Sequence, residues 1–510
     1  MNRDHLLKSL HDEWDVLIIG GGATGLGAAV DAASRGFKTL LLEQSDFAKG
    51  TSSRSTKLIH GGLRYLQQGN LSLVTEALKE RGRLCQNAPH LVSPLGFLLP
   101  NYHWWESPFY GMGLKVYDFL AGDLGLEKSH SISREEILAK LPMLETEGLR
   151  GGTIYYDGQF DDARLAITLA QTAAGLGAFP INYMRVEKFL KEKDLSVGVV
   201  AVDMLTEEKF TFRSKVIINA TGVFTDSIRK IDNQDKEPIV TPSQGVHIIL
   251  DKSFMESDLA LMIPHTEDGR VLFFIPWHNH VMVGTTDTPI KEISLEPRPL
   301  EEEIEYLLKY AGHYMHKKPT RDDILSSFAG LRPLVKDPKS QNTSSLSREH
   351  FIEVSDSGLI TICGGKWTTY RQMGEDVIDT AISTGHLQNA PCQTATLHLH
   401  GYTLGPKHPV DAWLLYGSDA VHLDALIKEN PELGKPLHPR LPYLPAEVIW
   451  AVRSEMALTL EDVLARRTRS LFLDIQATLE IAPQVAALMA KELNKSDAWQ
   501  LEQINQLKTY

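Results

Sequence analysis

Apolar runs separated by a glycine-rich turn mark the first part of the chain. Residues 16–19 form a continuous apolar run, which is typical of a parallel strand buried on both faces. Four alanines between positions 28 and 33 then predict a helix that packs closely on a sheet. A second apolar run, residues 39–42, ends at Glu43. This order predicts a β-α-β unit at the start of the chain.

Alternating patterns mark the middle of the chain. Residues 197–212 predict strands joined by a polar turn. Residues 245–253 and 270–287 alternate apolar and polar positions and are rich in β-branched side chains, which predicts antiparallel strands. From about residue 390 the pattern changes to apolar residues three or four positions apart, and a helix-rich stretch opens at Pro442 and Pro445.

Two further strands are predicted to end in small residues. Residues 215–226 read as a buried strand that ends at positions 220–222. Residues 358–382 read as a short strand, a Gly364-Gly365 turn and a helix from about Thr368. The start of that helix faces an anion or a cofactor ring if the turn lies at the edge of the sheet, and Lys366 lies beside it.

Composition and charge exclude several classes of protein. A net charge of -13 argues against a general nucleic-acid binder, so no nucleic-acid partner is expected. The three cysteines are odd in number and far apart, which argues against a disulfide framework and indicates a reducing compartment. They show no metal-ligand spacing, and no metal is expected. The polar N-terminus lacks a signal-peptide pattern, and no apolar run reaches the about 20 residues that a transmembrane helix needs.

The first β-α-β unit carries a dinucleotide-binding pattern. Gly20, Gly22 and Gly25 fit G-x-G-x-x-G between the predicted strand and helix. The glycines let the backbone approach a pyrophosphate, and the helix N-terminus supplies N–H donors. Glu43, which lies 18 residues after Gly25, is placed to accept hydrogen bonds from a ribose. The unit by itself does not choose between NAD and FAD.

A second anion-binding pattern follows in residues 51–66, TSSRSTKLIHGGLRYL. Hydroxyl side chains, cations and the pair Gly61-Gly62 occur together there. Paired glycines allow a close approach that a Cβ atom would block. The segment therefore predicts a local anion site whose backbone lies against a ligand.

These motifs resemble those of the FAD-dependent glycerol-3-phosphate dehydrogenases, within the D-amino-acid-oxidase-like flavoprotein superfamily. Two positions depart from the family pattern, Leu26 and Gly374, and both are packing positions. The resemblance covers nearly the whole chain and rests on GGGATGLGAAVDAASRG, TSSRSTKLIHGGLRYL, DDARL, INATG, IPW…GTTD, AGLRPL, GGKWTTYR and EMALTLEDVLARRTR.

The resemblance implies an α/β FAD-binding Rossmann-like domain interleaved with an antiparallel-sheet substrate (cap) domain, plus a C-terminal helical domain. The FAD-binding domain is expected at residues 1–90, 155–240 and 325–388, the substrate domain at 91–154 and 241–324, and the helical domain at 390–510. FAD is expected to bind without a covalent link. The expected cofactor-binding residues are Gly20, Gly22, Gly25, Glu43, Gln44, Ser52, Ser53, Lys57, Leu58, His60, Gly61, Gly62, Val186, Ala220, Thr221, Gly222, Gly365, Lys366, Trp367 and Thr368.

The implied reaction is hydride transfer from C2 of glycerol 3-phosphate to the flavin, which gives dihydroxyacetone phosphate. A base must take the C2 hydroxyl proton, and His247 is the candidate, with His60 in reserve. Arg332 is expected to act either on the substrate phosphate or on the carbinol oxygen. The expected substrate-binding residues are Arg64, Tyr65, Arg332, Lys366 and Thr368.

The electron acceptor implied by the resemblance is a quinone. A peripheral membrane location then follows, on the cytoplasmic side of a bacterial inner membrane or in the cytoplasm, with a homodimer as one possible assembly. Residues 101–122 are rich in Trp, Tyr and Phe, which suits a bilayer interface but equally a buried segment or a subunit contact.

Three other interpretations stay open on the sequence: a glycerol-3-phosphate oxidase that uses dioxygen, a related flavin-dependent amine or amino-acid oxidase, and an FAD-binding scaffold without activity. The arginine-rich run 466–469 is expected to be a solvated or salt-bridged helix face rather than a binding patch.

Overall fold

Two β-sheets and a helical C-terminal region organise the chain. The structure, a computed structural model, describes residues 1–11, 13–63, 66, 69–264, 266, 269–336, 350–404 and 411–510. Its strands, in chain order, are β1 (Glu13–Ile19), β2 (Thr39–Leu42), β3 (Leu58–Ile59), β4 (Val92–Asn101), β5 (His130–Ser133), β6 (Gly151–Phe160), β7 (Phe179–Ile181), β8 (Met184–Glu192), β9 (Leu195–Asp203), β10 (Lys209–Asn219), β11 (Val240–Asp251), β12 (Ala260–Ile263), β13 (Leu272–Trp277), β14 (His280–Gly284), β15 (Thr288–Pro289), β16 (Ile324–Val335), β17 (His350–Val354) and β18 (Ile360–Gly364).

The helices follow the same order. They are α1 (Arg3–Lys8), α2 (Ala23–Ser34), α3 (Leu71–Asn87), α4 (Glu106–Ala121), α5 (Arg134–Lys140), α6 (Asp162–Gly175), α7 (Thr225–Asp232), α8 (Glu301–Tyr314), α9 (Tyr370–Thr384), α10 (Ala420–Glu429), α11 (Pro445–Ser454), α12 (Ser470–Leu473), α13 (Ile475–Leu493) and α14 (Asp497–Leu507). A π-helical turn precedes α12. Within the described ranges no helix is long and apolar enough to cross a membrane.

The first sheet has the strand order β17-β18-β10-β1-β2-β7, with β9 and β8 added beside β10. Its centre is parallel: β1 pairs with β2 on one side and with β10 on the other. The apolar run of β1 is buried because α2, α6 and α9 cover one face of this sheet. The predicted β-α-β unit is therefore confirmed, as are the strands and polar turn of residues 197–212.

The second sheet has the order β15-β11-β14-β13-β12-β4-β6-β3, with β16 beside β11 and β5 beside β6. Its described pairs are antiparallel except for β12 with β4. The long ladder of β11 with β16 sets His247 opposite Phe328 and Ser243 opposite Arg332. The alternating patterns of residues 245–253 and 270–287 correspond to β11, β13 and β14, as predicted.

The C-terminal region is helical as predicted, but among the described residues its first α-helix, α10, begins at Ala420 rather than near residue 390. Pro445 opens α11, where its missing N–H costs no intrahelical bond. Apolar residues of α11, α12 and α13 join one core with β4, β13 and α4. The helices thus pack against the second sheet, while the boundaries of the three expected domains stay predictions.

Candidate active site

A cavity of about 510 Å³ lies where the carboxyl ends of β1, β2, β10 and β18 meet the inner face of β11 and β16. Parallel α/β sheets bind their ligands at this edge. The glycine turn, residues 220–222 and the Gly364-Gly365 turn all line this one cavity. Strand ends that are far apart in the chain thus converge on a single site.

The first glycine turn has no room for side chains. Gly20 has φ +111°, and a Cβ there would lie 2.6 Å from the carbonyl oxygen of Ala220. A Cβ at Gly25 would lie 1.9 Å from the carbonyl oxygen of Gly20, so Gly25 permits close packing of helix on strand rather than lining the cavity. Gly22 is the N-cap residue of α2 and has no side chain to cap it. The N–H of Ala23, the first residue of the helix, donates instead to Ser52 Oγ over 2.9 Å.

Glu43 braces this turn from the end of β2. Its carboxylate accepts the N–H of Gly21 at 2.7 Å and that of Ser45 at 2.9 Å. Burial raises the pKa of Glu43, and the two N–H donors oppose that shift. Glu43 and Gln44 line the cavity, which is where the predicted contact with a ribose requires them to be. The contact itself stays a prediction.

Residues 51–62 are hydrogen-bonded to the turn after β18. Trp367 Nε1 donates to the carbonyl oxygen of Ser52 over 2.9 Å. The Thr368 hydroxyl accepts the N–H of His60 and donates to its carbonyl oxygen, both at 3.3 Å. The segment with Ser52 and His60 and the turn after β18 therefore lie side by side in the cavity wall.

His247 lies on β11 with its imidazole at the cavity. Its Nε2 is 3.1 Å from Thr56 Oγ1, and its ring stacks on Phe328 at 5.0 Å between centroids. Burial, followed by the charges of Lys57 and Arg332, holds the pKa of His247 well below its ordinary value. The imidazole is therefore neutral at physiological pH, which is the form that a general base requires.

Arg332 projects from β16 toward the same end of the cavity. Its guanidinium donates to the carbonyl oxygen of Thr286 at 2.9 Å and to Thr285 Oγ1 at 3.1 Å, and Asp287 lies at 3.3 Å. A Cβ at Gly245 would lie 2.3 Å from a guanidinium nitrogen. The missing side chain at Gly245 thus gives the guanidinium its place.

Comparison with known proteins identifies the architecture. Residues 15–371 match the FAD dependent oxidoreductase family, and residues 392–500 match the C-terminal domain of alpha-glycerophosphate oxidase. The mitochondrial glycerol-3-phosphate dehydrogenase of Homo sapiens is 44% identical and covers 96% of this chain and 72% of its own length. The chain belongs to the glycerol-3-phosphate dehydrogenase family.

Other family members extend the likeness. The Saccharomyces cerevisiae mitochondrial enzyme is 38% identical over 99% of this chain and 91% of its own length. The glycerol-3-phosphate dehydrogenase of Bacillus halodurans, solved in complex with FAD, aligns with a TM-score of 0.81 at 32% identity, covering 99% of this chain and 96% of that chain. The family resemblance drawn from the sequence is confirmed.

Most of the residues predicted for the site line this one cavity. Those that line it are Gly20, Gly22, Glu43, Gln44, Ser52, Leu58, His60, Val186, Ala220, Thr221, Gly222, His247, Arg332, Gly365, Lys366, Trp367 and Thr368. Arg64 and Tyr65 lie outside the described residues. The glycine turn, with its space for a pyrophosphate and its open helix N-terminus, fits the FAD of this family.

Lys57 requires a correction. The resemblance places it among the cofactor-binding residues, but its ammonium lies beneath the cavity wall, 2.7 Å from Asp162 and 2.9 Å from the carbonyl oxygen of Ser53. Burial lowers the pKa of Lys57 to about 7, against the opposing charge of Asp162. The lysine side chain is fully buried, and its ammonium lies 5.3 and 4.9 Å from the ring centroids of Trp277 and Phe328, so it does not face the cavity in this structure.

Ser53, Gly61 and Gly62 are not among the residues that line the cavity. Ser53 is buried, and Gly61 packs on α3 and α4, where a Cβ would lie 2.7 Å from atoms of Leu78 and Tyr117. Gly61 therefore allows close packing against α3 and α4, while the cofactor contacts expected of Ser53, Gly61 and Gly62 stay predictions.

The sequence did not single out Thr56, Thr285, Gly245 or Gly284. A Cβ at Gly284 would lie 2.2 Å from the imidazole of His247, so this glycine sits at the edge of the ring. A glycine inside a strand pattern often marks such a close approach, and this signal was available for Gly245 and Gly284. No group of His, Cys, Asp and Glu side chains in the described ranges could hold a metal ion.

Proposed function

We propose that this protein oxidises sn-glycerol 3-phosphate to dihydroxyacetone phosphate, with FAD as its hydride acceptor. The observation that carries the proposal is one cavity in which His247, Arg332, Lys366 and Thr368 join the dinucleotide turn. The close likeness to named glycerol-3-phosphate dehydrogenases along nearly the whole chain supports it. FAD, when bound, accepts the hydride from C2 of the substrate.

Binding of the substrate phosphate needs cationic side chains that face the cavity. Lys366 lines the cavity and supplies one, and Arg64 is proposed as a second. Arg332 is held by fixed backbone acceptors next to His247 and contributes to the lowered pKa of that residue. This proximity favours a role for Arg332 at the carbinol oxygen rather than at the phosphate.

His247 is proposed as the base for the C2 hydroxyl. The ring is 2% exposed, stacked on Phe328 and held neutral by its surroundings. A neutral imidazole next to a fixed guanidinium can take a proton while the guanidinium holds the oxygen that loses it. Neither group needs to move far, because β11 and β16 are directly paired.

A quinone is proposed as the electron acceptor, with the protein on a membrane surface. Helix α4 buries Tyr110, Leu114 and Tyr117 on one side. Other large apolar side chains of this segment are exposed to solvent. They are Trp104 and Trp105, just before the helix, and Phe109, Met112 and Phe119 within it, of which Phe119 is 82% exposed. Aromatic and aliphatic side chains clustered in this way suit the interface of a bilayer. The cytoplasmic face of a bacterial inner membrane and a homodimer are part of the same proposal.

Anaerobic mixing of the purified protein with glycerol 3-phosphate tests the proposal. The flavin absorbance is expected to bleach, and dihydroxyacetone phosphate is expected in an amount equal to the flavin reduced. Glycerol serves as the matched control because it lacks the phosphate, and it is expected to bleach the flavin far more slowly. A flavin that stays oxidised with glycerol 3-phosphate contradicts the proposed substrate.

Dioxygen is the second candidate acceptor, because residues 392–500 match a domain named for alpha-glycerophosphate oxidase. Reduced enzyme mixed separately with air-saturated buffer and with a short-chain quinone distinguishes the two. Faster reoxidation by the quinone supports the dehydrogenase, whereas faster reoxidation by dioxygen with release of hydrogen peroxide supports the oxidase.

A further inference from the structure

The imidazole of His247 reaches the cavity through one edge. Its Nδ1 is buried and has no hydrogen-bond partner among the described residues. One face of the ring is stacked on Phe328, and the backbone of Gly284 lies against the Cδ2 and Nε2 edge. In the neutral tautomer that carries its proton on Nδ1, Nε2 presents its unshared pair to the Thr56 hydroxyl, and this is the form in which the histidine can accept a proton through Nε2.

Thr56 occupies that edge. Its Oγ1 is 3.1 Å from Nε2 of His247, and Thr56 itself lines the cavity and is half-buried. His247, by contrast, is 2% exposed. Both residues line the cavity, so a substrate hydroxyl that contacts Thr56 Oγ1 is connected to the imidazole nitrogen through a hydrogen bond that already exists.

We propose that the Thr56 hydroxyl is a catalytic proton relay between the substrate C2 hydroxyl and Nε2 of His247. This inference rests on the proposed function and deepens it. The C2 hydroxyl gives its proton to Thr56 Oγ1 as Thr56 gives its own proton to Nε2, so Thr56 ends unchanged and His247 ends as an imidazolium. The C2–H electron pair leaves as the hydride that FAD accepts, and the C–O single bond becomes a carbonyl.

The backbone on both sides of Thr56 is fixed from behind the cavity wall. The N–H and the hydroxyl of Ser55 both donate to Asp162, at 2.9 and 2.7 Å. Lys57, with φ +63°, pairs with the same carboxylate oxygen at 2.7 Å. Arg469 donates to the other oxygen of Asp162 at 3.1 Å. A relay needs a hydroxyl held within hydrogen-bond reach of both partners, and this clamp holds it.

The test compares Thr56→Val with Thr56→Ser in the FAD-loaded protein. Valine keeps the shape of threonine and removes the hydroxyl, whereas serine keeps the hydroxyl and removes a methyl group. Stopped-flow flavin reduction by glycerol 3-phosphate is expected to slow by about 100-fold or more in Thr56→Val, in the range of general acid–base effects. Thr56→Ser is expected to stay within about tenfold of the wild type.

Two further readouts separate a relay from a structural role. The dissociation constant for dihydroxyacetone phosphate, from its perturbation of the oxidised flavin spectrum, is expected to change little in either variant. A proton inventory of wild-type flavin reduction in mixtures of H₂O and D₂O is expected to curve, because two protons move together. A linear inventory indicates one proton in transit and overturns the relay.

The remaining outcomes divide cleanly. Wild-type rates in Thr56→Val overturn the relay, and so does a Thr56→Ser variant as slow as Thr56→Val, because the methyl group would then be the part that matters. A loss of ligand affinity as large as the loss of rate also overturns it. A wild-type flavin that glycerol 3-phosphate does not bleach overturns the proposed function together with the relay, whereas bleaching at equal rates in all forms overturns the relay alone.

Discussion

The hydroxyl of Tyr117 accepts a hydrogen bond of 2.8 Å from the backbone N–H of Gly61. The same hydroxyl donates to the carboxylate of Asp157 at 2.9 Å, and Asp157 pairs with Arg81 at 2.6 Å. Burial raises the pKa of Tyr117 well above its ordinary value, so the hydroxyl keeps its proton and can serve as donor and acceptor at once. Helix α4, which carries the exposed apolar side chains, is thereby hydrogen-bonded to the segment that follows the cavity residue His60.

Tyr117→Phe is expected to destabilise the protein by about 1–3 kcal/mol, because the Gly61 N–H is left buried without its acceptor. FAD is also expected to dissociate more readily, since Gly61 follows directly on the cavity residue His60. Chemical denaturation and FAD titration measure the two effects. Tyr155→Phe is the matched control, because the hydroxyl of that equally buried tyrosine donates, among the described residues, only to the weak acceptor Met262 Sδ at 3.2 Å. Equal losses in both variants would contradict the role of the Tyr117 hydroxyl.

Arg467→Met tests the attachment of the C-terminal region. The guanidinium of Arg467 binds both oxygens of Asp46 at 2.7 and 3.0 Å. Although burial opposes it, the charges of Arg467 and Arg466 hold the pKa of Asp46 below its ordinary value. Removing one partner of a buried pair is expected to cost about 3–5 kcal/mol of unfolding free energy.

The control for Arg467 is Arg453→Met. Arg453 pairs with Glu492 at 2.6 Å but is 52% exposed. An exposed pair of this kind contributes about 1 kcal/mol or less. Urea denaturation of both variants is the measurement, and equal midpoints would contradict a structural role for the buried arginine run.

Local patterns predict the parts of this fold that are local in cause. The apolar run of β1, the glycine turn and Glu43 lie within one unit, so the sequence suffices to predict their arrangement. Arg466, Arg467 and Arg469 were expected to be salt-bridged or solvated. They are salt-bridged but buried, and each has, besides any local partner, an acidic partner more than 300 residues earlier in the chain: Asp46 for Arg466 and Arg467, and Asp162 for Arg469.

The same limit applies at the site. The resemblance placed His247 and Arg332 together, and the β11–β16 ladder shows why they meet. The displacement of Lys57 from the cavity depends on Asp162, at the start of α6, which no local pattern links to residue 57. Contacts of this kind follow from how the sheets and helices pack, and a single sequence does not reveal them.

Gly374→Ala is expected to destabilise the protein by about 1 kcal/mol or more, although alanine is the better helix former. Gly374 on α9 crosses α2 at Gly27, and a Cβ at Gly374 would lie 2.7 Å from the carbonyl carbon and oxygen of Gly27. Backbone atoms cannot rotate away, so the two helices must separate. This contact gives a structural reason for the glycine at position 374, one of the two positions that depart from the family pattern.

Gly113→Ala on α4 is the matched control for that crossing. A Cβ at Gly113 meets no atom within 4 Å. Alanine there is expected to stabilise by about 0.5–1 kcal/mol, because it restricts the unfolded chain. Thermal denaturation of both variants is the measurement, and a stabilised Gly374→Ala would contradict the close helix crossing.

The rate of flavin reduction is expected to stay high as the pH falls through about 6.5, the ordinary pKa of histidine. Burial and the charges of Lys57 and Arg332 hold the pKa of His247 well below that value, so the imidazole stays neutral. Lys57→Met removes one of these cations and is expected to raise the pKa of His247. The acid limb of the rate then moves to higher pH.

Stopped-flow reduction from about pH 5 to about pH 8 measures that limb in both forms. Lys57→Met also removes one contact of the Asp162 clamp next to Thr56, so the comparison uses the pH at which the acid limb falls and not the absolute rate. An acid limb at the same pH in wild type and Lys57→Met would show that the lysine charge does not act on His247.

Phe119→Glu is expected to weaken binding to phospholipid vesicles if the exposed side of α4 lies in the interface. Phe119 is 82% exposed, and a carboxylate in its place would have to remain in water while the aromatic residues around it enter the headgroup region. Val421→Glu is the matched control, because Val421 is also an exposed apolar residue, at 62% exposure, but lies on α10 in the C-terminal region, away from α4 in the chain. Vesicle flotation is the measurement, and quinone-linked turnover with added vesicles is a second one. Phe119→Glu should lower both, whereas Val421→Glu should lower neither.

If wild-type protein does not float with vesicles, including anionic ones, the membrane proposal is wrong. If both variants lose binding equally, membrane contact is not specific to α4, and the exposed apolar side of that helix must then be covered by another surface.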